Sequence, residues 1–76
     1  MGYVWLLWTE MDGRYWLDGV HQDEIRAMRA GRIAYLARTG MATLAGPARW
    51  HQTDAERWER ELALARQKVE CWKLNP

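Results

Sequence analysis

The chain of 76 residues contains no phenylalanine, one cysteine, two prolines and two histidines, and it has no serine at all. Each shortage removes a class of chemistry. Without serine there is no serine nucleophile. The lone thiol, Cys71, excludes an internal disulfide. Cys71 with His21 and His51 makes a poor zinc set, because neither C-x-x-C nor H-x-x-x-H spacing occurs. No glycine-rich phosphate loop precedes an expected helix. A Cys71–histidine catalytic pair would place the thiol near a helix C-terminus, where the dipole opposes a thiolate. A small buried hydrophobe is the simpler role for Cys71. The expectation is a chain with no metal, no cofactor and no enzymatic activity.

Long hydrophobic runs are also missing. The opening stretch MGYVWLLWTE is short and lacks a basic flank, so it reads neither as a signal peptide nor as a membrane span. A cytoplasmic location is the expectation. Lysine is scarce beside arginine, and isoleucine and asparagine are scarce while alanine is frequent. Residues with GC-rich codons dominate, which points to a high-GC bacterium or its phage.

What is abundant is aromatic: six tryptophans and three tyrosines. Residues 1–76 make one small domain, and a domain of this size buries only about 60% of its unfolded surface. Large rings compensate, because each can bury roughly 150–250 Å². Any ring reserved for a partner weakens the free chain.

YVWLLWTEMDGRYWLDGV is the clearest local signal. Two apolar runs flank Asp12-Gly13, a pair suited to the positive φ angles of a type I′ turn, so a β-hairpin is predicted. Met11 then pairs with Arg14, Thr9 with Trp16 and Trp8 with Leu17. One face carries Val4, Leu6, Trp8, Tyr15 and Leu17. The other carries Tyr3, Trp5, Leu7, Trp16 and Val20. Both faces are apolar, whereas a half-solvated antiparallel sheet alternates. Something must cover each side.

HQDEIRAMRAG reads as a short helix, with Asp23 and Glu24 at its positive end and Gly31 as its terminator. The rival is one helix running to Arg38 and ended by Gly40. Propensity favours the rival. Periodicity disfavours it, because Arg29 and Arg32 interrupt the stripe shared by Ile25 and Leu36. RIAYLART is therefore read as a third strand, and MATL as a fourth short strand or a loop, with turns at Gly40 and Gly46-Pro47. Thr53 and Glu56 match a capping box. Ala55, Trp58, Leu62, Ala65, Val69 and Trp72 then recur at alternating intervals of three and four, as on a long helix. The expected fold is α+β: an N-terminal β-hairpin, a short helix, a third strand, and a long C-terminal helix packed on a small antiparallel sheet.

Charge is segregated along the chain. Residues 25–53 hold Arg26, Arg29, Arg32, Arg38 and Arg49 and no acid, while residues 1–24 hold five acids and one arginine. Either these arginines pair with Glu10, Asp12, Asp18, Asp23 and Glu24 across the fold, or they share a surface. In the second case, together with Tyr35, they suit an acidic protein patch or nucleic acid. A helix-turn-helix reading fails, because Leu36 stands where alanine is usual and Gly46-Pro47 would interrupt the second helix. The seam of Trp58, Leu62, Ala65, Val69 and Trp72, with Trp5 and Trp16 of the hairpin, is either the monomer's own core or a self-association surface. The expected function is binding of another protein by surface occupation, as in a phage- or mobile-element-encoded inhibitor of a host protein complex, with a homodimer as a further expectation. The alternative is nucleic-acid binding through the arginine-rich middle. No membrane partner is expected.

Overall fold

The computed structural model describes residues 2–44 and 48–74. Its elements are β1 (Gly2–Met11), β2 (Arg14–His21), α1 (Glu24–Thr39), β3 (His51–Asp54), β4 (Arg57–Glu61) and β5 (Arg66–Leu74). The strands form one antiparallel sheet in the order β2-β1-β5-β4-β3, and α1 lies against β1, β2 and β5. The fold is α+β, as expected, but its parts are distributed differently.

The hairpin forms as read. Asp12 and Gly13 take φ of 54° and 78°, and Met11↔Arg14, Thr9↔Trp16 and Trp8↔Leu17 are in register. Beyond Leu17 the register slips, so that Leu7 opposes Gly19 and Leu6 opposes Val20. Asp18 is the extra residue of this bulge. The slip moves Val20 onto the face of Leu6, not the face of Trp16 as simple alternation required.

The helix is the longer rival, not a short helix followed by a strand. The Asp23 side chain accepts from the Arg26 amide at 2.8 Å, and Gly40 ends the helix at φ 73° with its N–H on the Leu36 carbonyl. Residues 32–38 are helical because the buried stripe is Ala27, Gly31 and Tyr35. These are small residues and one ring at i, i+4 and i+8, a pattern that large-residue periodicity does not register. Gly31 is a packing position, not a terminator. A Cβ there would meet Arg60 Nη2, Gln67 Oε1 and Trp50 Cζ2, each at 3.0 Å. Met41–Leu44 is loop, and the turn expected at Gly46-Pro47 lies outside the described residues.

The long C-terminal helix is overturned; its residues form β3, β4 and β5. The apparent capping box is a hairpin turn. The Asp54 carboxylate accepts from the Glu56 amide at 2.8 Å, and Thr53 Oγ1 donates to the Arg57 carbonyl at 3.4 Å. Short polar side chains that cap helices also close such turns. β5 pairs with β1 over nine positions, Gly2↔Leu74 through Glu10↔Arg66. Long-range pairing of this extent outweighs the helical preference of the Leu62–Ala65 turn, which the Leu62 amide closes on the Ala65 carbonyl at 2.8 Å.

The core lies between α1 and the sheet. Trp5, Leu7, Ala27 and Val69 are its buried centre, with Met28, Ala30, Ala34, Trp50, Trp58 and Cys71 around it. Beside it runs a buried polar chain. Arg60 Nε and Nη2 donate to Gln67 Oε1 at 2.9 and 2.7 Å, and Gln67 Nε2 donates to the Gly31 carbonyl at 2.8 Å and to Thr9 Oγ1 at 3.2 Å. The Arg60 guanidinium also lies 4.5 Å from the Trp50 ring centroid.

Candidate interaction surface

Side chains alternate across the sheet, so residues that do not face α1 line the opposite face. Register assigns that face row by row. Glu10 sits beside Tyr15 and Arg66, with Glu61 beyond Arg66. Trp8 sits beside Leu17 and Lys68, with Glu59 and then His51 beyond. Leu6 sits beside Val20 and Glu70, with Arg57 beyond; Val4 pairs with Trp72, and Gly2 with Leu74.

The face has two halves of different character. On β2, β1 and the end of β5 it is apolar. Tyr15 is 61% exposed, Leu17 47%, Val20 56%, Trp72 55% and Leu74 53%. On β4 and the start of β5 it is a lattice of opposite charges. Arg66 reaches Glu61 at 2.8 Å and Glu10 at 3.9 Å, while Arg57 and Lys68 reach Glu70 at 3.7 and 3.6 Å. That half satisfies itself and presents no single sign. The apolar half has no counterpart within the described residues. Between the halves sits Trp8, half-buried, whose Nε1–H finds no acceptor among those residues.

The structure scatters the expected arginine set. Tyr35 is 1% exposed and belongs to the core, so it offers no ring for stacking on a partner. Arg38 is held inside the protein's own electrostatics. Its Nη2 lies 2.6 Å from Asp18 Oδ1 and its guanidinium 4.6 Å from the Trp16 ring centroid. The hydrogen bond to Asp18 raises its pKa above the ordinary arginine value. Arg49 stands apart on the loop before β3, beside His51 and Glu61. Arg26, Arg29 and Arg32 are exposed together on α1, and among the described residues only Arg26 makes an ion pair there, with Asp23 at 3.3 Å.

The expected seam also divides, because its residues are not on a helix. Trp5 and Val69 are core residues. Trp58 is half-buried on the helix side, its Nε1–H donating to Glu24 Oε2 at 2.8 Å. Trp16 is half-buried beneath Arg38. Leu62 and Ala65 lie at the β4–β5 turn. Of the seven, Trp72 alone lies exposed on the open face. The Arg60–Gln67–Thr9 chain carried no advance signal, since a polar residue becomes conspicuous only once register turns it inward.

Burial, aided by Glu56, raises the Cys71 thiol pKa, which is the wrong direction for a nucleophile. Among the described residues no group of three His, Cys, Asp or Glu side chains could hold a metal ion, and no helix is long and apolar enough to cross a membrane. No family model, curated protein or solved structure matches the chain.

Proposed function

We propose that the chain is a small non-enzymatic protein-binding module that occupies a partner's surface through the apolar half of its open sheet face. The carrying observation is that Tyr15, Leu17 and Val20 on β2 and Trp72 and Leu74 on β5 are exposed on one face of the sheet, beside charges that are already paired. Exposed apolar patches of several hundred Å², rimmed by polar groups, mark interaction sites. Aromatic anchors such as Trp72 and Tyr15 dominate binding energy in such patches. Occupying a surface excludes the partner's other ligands, so the module is read as an inhibitor of a protein complex.

The test is capture from a host lysate with the wild type and with the double variant Leu17→Glu/Trp72→Glu. Both side chains are about half exposed, so the substitutions leave the helix-side core intact. A partner held by the wild type is expected to bind the variant at least about a hundredfold more weakly. Undiminished capture by a folded variant contradicts the reading.

A second reading is nucleic-acid binding, favoured by the exposure of Arg26, Arg29 and Arg32 together on α1. It requires affinity for duplex DNA or RNA that falls steeply with salt, with a log–log slope of about −3 for three phosphate contacts. Alanine at all three positions is expected to abolish that binding. Equal affinity of wild type and triple variant for both nucleic acids eliminates this reading.

A further inference from the structure

We infer that, in the absence of another partner, a second copy of this chain covers the open face, so that the free protein is a two-fold dimer with its sheets stacked, which opens before that face takes up a partner. The inference rests on reading that face as a contact surface, and it names the occupant. Three observations carry it.

The first is the small size of the monomer's core. Only Trp5, Leu6, Leu7, Ala27, Tyr35 and Val69 are buried hydrophobics among the described residues, and two of those six are an alanine and a residue of the open face itself. Oligomerisation is one means by which a small core gains buried area. The partner available wherever the chain is made is the chain itself.

The second is self-complementarity. A two-fold interface places one patch against itself, so the patch must tolerate its own image. A single-sign surface fails this condition. The apolar half meets it, because Leu17, Val20 and Trp72 of one copy face apolar groups of the other without a charge conflict. Arg57 on β4 and Lys68 on β5 border that contact, and Glu70, which sits directly beside Leu6, enters it already paired with both of them.

The third is area. The exposed fractions of Tyr15, Leu17, Val20, Trp72 and Leu74 correspond to about 550 Å² per copy. With all five side chains fully covered, two copies bury up to about 1,100 Å², against the roughly 1,000 Å² that a specific interface requires. Stacked sheets lie about 10 Å apart, close enough for these side chains to interdigitate. Of the sheet's two outer edges, that of β2 is interrupted by the Asp18 bulge and that of β3 is four residues long with a register shift of its own, features that blunt edge pairing.

The test is sedimentation of the purified protein from low-micromolar to near-millimolar concentration, with the thermal midpoint followed over the same range. The expected result is a dimer whose midpoint rises with concentration. Leu17→Glu and Trp72→Glu, separately, are each expected to weaken dimerisation at least about a hundredfold, since symmetry brings each new charge into the interface twice. Ile33→Glu is the control. Ile33 is 71% exposed on the helix layer, and its replacement is expected to leave the dimer unchanged. A wild type that stays monomeric throughout overturns the dimer, and the capture experiment then judges the contact surface separately. A dimer that persists in both face variants, or that dissociates in Ile33→Glu, overturns the placement.

Discussion

Gln67→Leu is expected to destabilise the folded chain by about 3–5 kcal/mol, measured by urea denaturation. Gln67 is fully buried and Arg60 is 6% exposed. Among the described residues Arg60 has no carboxylate partner; its Nε and Nη2 both end on Gln67 Oε1. Burial already pulls the Arg60 pKa below the ordinary arginine value, which reflects the strain of keeping a cation there. Leucine fills similar space but accepts nothing. The guanidinium would keep only the Trp50 face, and the Gly31 carbonyl and Thr9 hydroxyl would lose their donor. A chain of this length has roughly 4–11 kcal/mol of total stability, so the loss is a large share of it. The double variant Arg60→Met/Gln67→Leu is expected to recover most of the loss, because an apolar pair leaves no buried charge without a partner. A single variant within about 1 kcal/mol of wild type, or a double variant no better than the single, contradicts this account.

The same network shows where sequence reasoning reaches its limit. Asp12-Gly13 announced the hairpin, because a two-residue turn with both φ angles positive leaves few alternatives. The bulge at Asp18 left no mark, and it sends Val20 to the other face. In α1, the buried stripe consists of Ala27, Gly31 and Tyr35, while Ile25 and Ile33 point outward at 49% and 71% exposure. The large aliphatics alone form no stripe, and Gly31 then resembles a helix terminator. At the C-terminal end two periodicities coexist. Trp58, Leu62, Ala65, Val69 and Trp72 fit a helix, but Trp58 and Arg60, then Gln67, Val69 and Cys71, also alternate as inward positions of β4 and β5. Local propensity favours the helix, and the Leu62–Ala65 turn contains no glycine, proline or asparagine to signal a break. The deciding fact is non-local. β1 has two edges as well as two apolar faces, and β5 satisfies the second edge along nine residues.

The open face was half legible for the same reason. Two apolar sides on the hairpin already required two covers, and α1 supplies one of them. Trp72 and Leu74 join the other side only through the β1–β5 register, so a helical reading hides them. The arginine-rich middle was legible as charge but not as geometry. Asp18 takes Arg38 and Asp23 takes Arg26, while Arg29 and Arg32 remain on the solvent side of α1.

Tyr35 gives the sharpest contrast between the two roles a mid-chain aromatic can play. Tyr35→Ala is expected to cost about 3–5 kcal/mol of stability, as for truncation of a buried ring. Tyr35→Phe is expected to cost only about 1 kcal/mol. The ring is 1% exposed, and its hydroxyl accepts from the Leu64 amide at 3.3 Å and donates to Met41 Sδ at 3.7 Å. Its carbonyl accepts from Thr39 Oγ1 at 2.8 Å. One residue thus joins the end of α1, the loop that follows it and the β4–β5 turn. Truncation leaves a cavity where those three meet, whereas phenylalanine keeps the packing and gives up two weak polar contacts. A partner-stacking tyrosine would behave oppositely: alanine would lower affinity and leave the melting temperature in place. The measurement is therefore paired, with the thermal midpoint of both variants set beside their partner capture. If Tyr35→Ala melts with the wild type, the ring does not hold these elements together. If it melts far earlier while Tyr35→Phe does not, Tyr35 belongs to the scaffold that holds α1 to the β4–β5 turn.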